Sequence, residues 1–272
     1  MEIKKGYKQA EVGVIPMDWD VKNLLDNFTL KARIGWQGLT TEEYLSTGDY
    51  GLVTGTDFRD GYIDWDNCVY VEKIRYVQDK NIQLKVNDVL VTKDGTIGKV
   101  AFVNKLPNPT TLNSGIFVVR PKNPNIDERF FYYILMSSYF DIFLSKITAG
   151  STITHLYQKD FSTFNFILPP RSEQTAIAQV LSDTDSYINS LEKLIEKKSQ
   201  IKQGAMQELL KPKDGWETKT IKEVATYRRG SFPQPYGLDK WYDDISGFPF
   251  VQVFDVDDNN RLKDETKRYI SK

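Results

Sequence analysis

Cysteine and histidine are almost missing from this sequence of 272 residues, which holds one of each, Cys68 and His155. A single thiol excludes an internal disulfide framework, and one Cys with one His cannot supply the ligand set of a structural zinc site. No run of roughly 18 apolar residues occurs, so no segment reads as a membrane-spanning helix. The stretch from Met1 to Gly13 lacks the apolar core of a signal peptide, which makes the cytoplasm the default location. Charge of one sign is also missing. Lys and Arg number 36 against 37 Asp and Glu, for a formal net charge of −1 and a pI near 6.0. Strong basicity is the usual electrostatic footprint of nucleic-acid binding, so its absence counts against an autonomous DNA-binding protein. It leaves room for a subunit that reads base edges while other subunits supply most phosphate contacts, because the two tasks are separable.

The motifs of enzyme chemistry are missing too. Gly95-Thr96-Ile97-Gly98-Lys99-Val100 has glycines and a lysine, but neither the glycine spacing of a phosphate loop nor its Ser/Thr after the lysine. No G-x-G-x-x-G follows a strand. The Asn/Asp-Pro-Pro-aromatic motif with which amino-methyltransferases hold a target base does not occur. His155 alone is more simply a hydrogen-bonded structural residue than a base, and Cys68, in a strand-like run, a small core residue. The expectation is a chain without catalysis of its own.

What is present divides into three regions. From about Val14 to Pro169, short runs rich in β-branched and aromatic residues alternate with turn signals: Val69–Val71, Asp88–Val91, Val100–Val103 and Gly115–Val119. Thr41–Ser46 and Asp127–Ser145 read as helices, the second with Phe130, Phe131, Ile134, Leu135 and Phe143 spaced to bury one face. This predicts a mixed α+β domain over 1–169. Pro169-Pro170 ends the last strand, and Ser172 is placed to cap a helix that runs to Leu210. Ile177, Leu181, Thr184, Ile188, Leu191, Ile195, Lys198, Lys202, Ala205 and Leu209 follow a 4-3-4-3 spacing, apolar at seven of ten places. That is a heptad seam, interrupted at Lys198 and Lys202, on a helix about 58 Å long. A seam of this length over 170–211 calls for a partner helix.

The third region, 212–272, begins the first again. Trp19 and Trp216 stand 197 residues apart in similar settings, and Asp57 and Asp255 stand 198 apart. Two anchors at nearly one offset indicate an internal repeat. The second copy reaches only the equivalent of about position 75 of the first.

At three places the chain resembles the specificity (S) subunits of type I restriction-modification systems. Asn87 to Val100 looks like the family's strand–turn–strand motif. Tyr157-Gln158-Lys159-Asp160 through Leu168-Pro169-Pro170 to Glu173–Ser182 looks like the junction between a target recognition domain and the long spacer helix. Arg228 to Pro235 resembles the entry to a second recognition domain. The resemblance implies a mixed α/β target recognition domain, a long coiled-coil helix and the start of a second recognition domain, truncated within it. It further implies double-stranded DNA as partner, with methyltransferase (M) subunits that use S-adenosylmethionine and a restriction (R) subunit that uses ATP and Mg2+. No cofactor would be bound by this chain. Where the family carries two long helices, this chain has one, and two explanations compete: a truncated gene product of a rearranged or split locus, or a homodimer or complementing half-subunit paired through that helix. A coiled-coil interaction protein without DNA affinity, an enzyme with an unrecognised site, and a decayed fragment are the alternatives.

Base reading needs hydrogen-bonding side chains on loops that enter a groove. Arg33, Trp36 and Gln37, in a Gly-flanked stretch, are candidates, although Trp36 fits a core equally well. Thr56 and Arg59 fall at a strand end. Lys93 and Thr96 sit in a tight turn that a plain hairpin would explain as well. Ser151, Thr152 and His155 form a small polar loop with Lys159 nearby, and Arg228, Arg229 and Gln234 are the candidates of the second copy. Lys193, Lys197, Lys198 and Lys202 read as a solvated helix face.

Overall fold

The apolar runs Asp88–Val91, Val100–Val103 and Gly115–Val119 become the centre of a six-stranded sheet. In the computed structural model, which describes residues 3–148, 155–227, 238–258 and 260–271, its order is Phe28–Lys31, Ile116–Pro121, Val89–Thr92, Val100–Phe102, Tyr62–Ile63, Phe58–Arg59. The four strands from Phe28–Lys31 to Val100–Phe102 pair antiparallel. Alternate residues of the central strands face opposite ways, as the pleat requires. Val89, Val91, Phe102, Phe117 and Val119 join one buried cluster, which also holds Phe130, Phe131 and Phe140. Leu90, Ala101, Ile116 and Val118 join another with Val53, Ile82 and Leu112. A sheet covered on both faces accounts for runs that are continuously apolar rather than alternating. A second sheet of three strands sets Gly51–Val53 parallel to Thr110–Leu112 and antiparallel to Val69–Tyr70.

Two expected helices are modified. Asp127–Ser145 forms two helices, Glu128–Leu135 and Ser138–Thr148, the first capped by the Asp127 carboxylate, which accepts from the Arg129 and Phe130 N–H groups. The break falls where the Ser137 hydroxyl donates to the Ile134 carbonyl at 2.7 Å, a local bond that competes with the helix ladder. Thr41–Ser46 shortens to a single turn of 3-10 helix, Thr41–Glu43, closed by a Thr40/Glu43 capping box. Beyond it Leu45 pairs with Tyr70, which draws the chain into strand geometry.

The long helix runs Arg171–Leu209, 39 residues. It starts one residue before the expected cap Ser172, with the Pro170 carbonyl accepting from the Glu173 and Gln174 N–H groups. Its first turns are fastened to the domain. The Gln174 amide is buried; it donates to the Pro169 carbonyl at 2.8 Å and accepts from the Asp127 N–H at 2.9 Å. Trp19 donates to Glu173 at 2.8 Å, and the Tyr133 hydroxyl to Asp185 at 2.7 Å; burial, and then this bond, hold the phenol well above its usual range. From Ser186 to Leu209 every helix residue is exposed, the seam residues Ile188, Leu191, Ile195 and Leu209 included. No described helix is long and apolar enough to cross a membrane.

The chain divides into two structural units, Met1–Lys202 and Gln203–Lys272. Within the second, elements of the first recur. The Gly51–Val53 and Val69–Tyr70 pair has its counterpart in Phe248–Phe250 and Arg268–Ile270. The 3-10 turn Gly55–Asp57, closed by a capping box between Thr54 and Asp57, has its counterpart in Val253–Asp255, closed by Gln252 and Asp255. The short helix Leu24–Asn27 matches Ile221–Val224.

Candidate nucleic-acid interface

Four chain segments meet around the turn between Val89–Thr92 and Val100–Phe102. The turn is held by Thr92, whose hydroxyl donates to the Thr96 carbonyl and accepts from the Lys99 N–H at 2.9 Å. Gly95 and Gly98 both take positive φ, and at Gly98 a Cβ would fall 2.2 Å from the Leu144 side chain. Beside this turn, the Thr54 N–H donates to the Asp57 carboxylate at 2.7 Å and the Thr54 and Thr56 hydroxyls share a bond of 2.7 Å. Burial pushes the Asp57 carboxyl up, against the pull of its Thr54 donors. The third segment is Asn113–Gly115, where the Asn113 side-chain Oδ1 accepts from the Gly115 N–H at 3.0 Å. The fourth enters through His155, which bridges to Asp94 along the backbone, followed by the Leu156 N–H donating to the Lys93 carbonyl at 2.7 Å.

Between the first three lies an open cleft of about 320 Å³ lined by Thr56, Asp94, Thr96, Lys99 and Asn113 among others. Its exposed groups are hydroxyls and one ammonium, joined by the half-buried Asn113 amide and Asp94 carboxylate. Hydroxyls and amides donate and accept, while the ammonium only donates. That inventory suits base edges and a phosphate. Among the described residues no group of three or more His, Cys, Asp or Glu is placed to hold a metal ion.

The expected recognition residues separate sharply. Thr56 and Thr96 are exposed and line this cleft. Lys93 is half-buried, its ammonium 3.3 Å from Asp94 and over the Phe117 ring. His155 is exposed and bonded to Asp94. Lys159 is exposed, its ammonium over the Tyr157 ring. Arg59 is exposed but turned onto its own hairpin, 3.0 Å from Asp64.

The Arg33–Gln37 stretch, expected to expose its polar side chains, does the reverse. Arg33 is 2% exposed and Gln37 8%. The Arg33 guanidinium donates to the Leu112 carbonyl at 2.8 Å and the Thr111 hydroxyl at 3.1 Å, with longer bonds to Gln78 and the Arg75 carbonyl. Burial, and then the neighbouring Arg75 charge, pull its pKa below the usual arginine range. Arg75 in turn pairs with Glu43 at 2.9 Å and donates to the Gln37 and Gly38 carbonyls. Arg33 is therefore an internal brace between the two sheets' ends rather than an exposed reader. Trp36 lies in the 3-10 turn Gly35–Gln37, with its side chain outside the description. Ser151, Thr152, Arg228, Arg229 and Gln234 lie outside the described residues. Sequence reasoning passed over Lys99 and Asn113 as site residues. The Asn-Ser-Gly turn signal at Asn113–Gly115 was the available clue to the second.

Comparison with known proteins gives a consistent set of likenesses. The family described as "Type I restriction modification DNA specificity domain" matches residues 16–203. The chain is 27% identical over 256 residues to the putative type I restriction enzyme MjaX specificity subunit of Methanocaldococcus jannaschii, covering 90% of this chain and 58% of that protein. It is 27% identical over 246 residues to the MjaVIII specificity subunit of the same organism, covering 84% and 54%. The chain thus spans about half the length of the curated relatives it matches. Its fold is similar to a chain in a solved structure of type I R-M complex assembly, with a TM-score of 0.51 at 19% identity, covering 70% of this chain and 44% of that one.

Proposed function

Because the chain belongs to the type I restriction modification DNA specificity family, we propose that it is a sequence-specific DNA-binding subunit that directs methyltransferase and restriction subunits to a bipartite target in double-stranded DNA. The observation that carries this reading is the convergence of Thr56, Thr96, Lys99 and Asn113 on one polar cleft inside the matched residues. In this reading residues 1–169 are the first target recognition domain, 170–211 the spacer helix and 212–272 an incomplete second recognition domain. The chain carries out no chemistry itself. S-adenosylmethionine, ATP and Mg2+ serve the partner subunits, and the assembly works in the cytoplasm.

The near-zero net charge fits this division of labour, since base contacts specify while phosphate contacts on partner subunits supply most of the affinity. The exposed seam through Ile188, Leu191 and Ile195 supports a helical partner, either a second copy or a complementing half-subunit. Co-expression with a methyltransferase subunit, followed by single-molecule mapping of methylated adenines, tests the reading. A split motif that appears only when this chain is present is expected; a palindromic motif identifies a dimer of two copies. No new methylation with a folded chain would count against the function.

A further inference from the structure

His155 is the sole histidine of the chain, and its ring is held rather than loose. Nδ1 lies 2.6 Å from Asp94 Oδ1. A carboxylate can only accept, so Nδ1 carries the proton of that bond. The other Asp94 oxygen takes the Lys93 ammonium at 3.3 Å, which offsets the negative charge. Main-chain bonding fixes the same spot, through the Asp94–His155 bridge and the Leu156 to Lys93 bond. The His155 side chain nevertheless stays 53% exposed, and its Nε2 has no partner among the described residues.

This arrangement has one chemical consequence. In its neutral form, with Nδ1 protonated, the ring presents Nε2 as a bare lone pair, and the Asp94 carboxylate that holds it lines the cleft together with Thr56, Thr96 and Lys99. In that form it is an uncharged group that accepts and cannot donate. A free carboxylate would do the same work only against the field of the phosphates; an imidazole does not meet that repulsion. In the major groove the donors such a group can meet are the exocyclic amino groups of adenine N6 and cytosine N4.

We propose that His155 is a specificity-determining residue whose Nε2 accepts a hydrogen bond from the amino group of one adenine or cytosine of the target, with Asp94 as the positioning residue that fixes the ring's tautomer. The proposal rests on the DNA-reading function above, and its test begins where that function has been established.

The wild-type chain is co-expressed with a methyltransferase subunit and its motif mapped, and His155→Ala is treated in parallel. The expected result is methylation that persists at all other motif positions while one position loses its preference. Persistence elsewhere reports that the variant has folded and assembled. Duplex probes then carry a base analogue at that position. Removing the major-groove amino group should weaken binding of the wild-type complex about tenfold, the usual worth of one good hydrogen bond. It should not weaken the His155→Ala complex further. Where the base is adenine, 7-deazaadenine, which keeps the amino group and loses N7, should bind as well as adenine. Asp94→Asn, which permits either tautomer, should blur the same position and no other, and His155→Gln, which retains an acceptor, should restore part of the preference. An unchanged motif in His155→Ala overturns the proposal and leaves the pair as a surface tie. Sensitivity to loss of N7 instead of the amino group also overturns it, because His155 would then be donating. A wild-type chain that yields no motif removes the function itself, and the proposal with it.

Discussion

Arg33→Ala is the substitution that most directly tests the distinction between a reader and a brace. Two of the Arg33 bonds are wholly buried, to the Leu112 carbonyl at 2.8 Å and the Thr111 hydroxyl at 3.1 Å. Removing the guanidinium strands both acceptors away from water, at about 1–3 kcal/mol each. Loss of the stem's packing adds to this, while release of Arg33 from the like charge of Arg75 subtracts from it. The sum is a loss of about 3 kcal/mol in unfolding free energy. Arg33→Lys should recover less than half, since one ammonium cannot reach acceptors lying in several directions. Urea denaturation followed by circular dichroism measures this, with an unchanged slope on denaturant showing that the compared states are the same. At temperatures where the variant is folded, its DNA motif should be that of the wild type. A loss under about 0.5 kcal/mol, the usual range for a surface site, would refute the brace. Altered base preference at undiminished stability would refute it too, and return Arg33 to the interface.

Lys99→Ala should weaken DNA binding by the assembled complex equally on all sequences and lower the salt slope by about 1, with stability unchanged, as a titration of affinity against salt will show. Leu191→Asp, in the exposed seam, should abolish association through the long helix in sedimentation while leaving the thermal melt of the recognition domain in place; an unchanged association state would exclude the seam as the contact. The Cys68 thiol is pushed up to about 12 by burial, helped by the charges of Asp57 and Asp64. Its thiolate is therefore scarce at pH 8, and alkylation of the native chain should run on the order of a thousandfold slower than in the unfolded chain. Equal rates in the two states would show that the thiol is not in the environment described.

The strands at the centre of the sheet were legible because a doubly covered strand writes itself as a continuous apolar run, as in Val89–Val91. The long helix was legible to within two residues, since Pro169-Pro170 breaks the strand ladder and no proline follows before its end. The Ser137 break was not, because a serine within an aromatic-rich helical pattern carries no mark of which carbonyl it will bond. The cleft was legible in its pieces and not in its assembly. Thr56 was marked by a strand end and Thr96 by a turn, but their meeting depends on the pairing of Gly51–Val53 with Thr110–Leu112 and of Val89–Thr92 with Ile116–Pro121. Arg33 failed for the same reason in reverse: its acceptors Thr111 and Leu112 are remote in sequence, so nothing near Arg33 announced that it would be enclosed.

The repeat separates these two kinds of information. Gln252 and Asp255 close the same turn as Thr54 and Asp57, and Asp255 is 2% exposed like its counterpart at 6%. Turn chemistry is thus written locally and reproduced wherever the local residues recur. Burial is not: Leu24 is wholly buried, while Ile221 in the matching helix is 70% exposed. Leu24 is covered by distant chain, its N–H donating to the Phe164 carbonyl at 2.8 Å, and residues 203–272 hold no counterpart of Phe164. The same reasoning applies to the cleft. Of its contributing segments at Thr54–Asp57, Asp94–Lys99 and Asn113–Gly115, only the first has a counterpart in residues 203–272. Residues 203–272 therefore repeat the turn that edges the cleft and not the strands that bring its other segments to it. Under the function proposed above, a bipartite target is read by two such clefts, and the exposed seam through Ile188, Leu191 and Ile195 is the surface through which a second would be held.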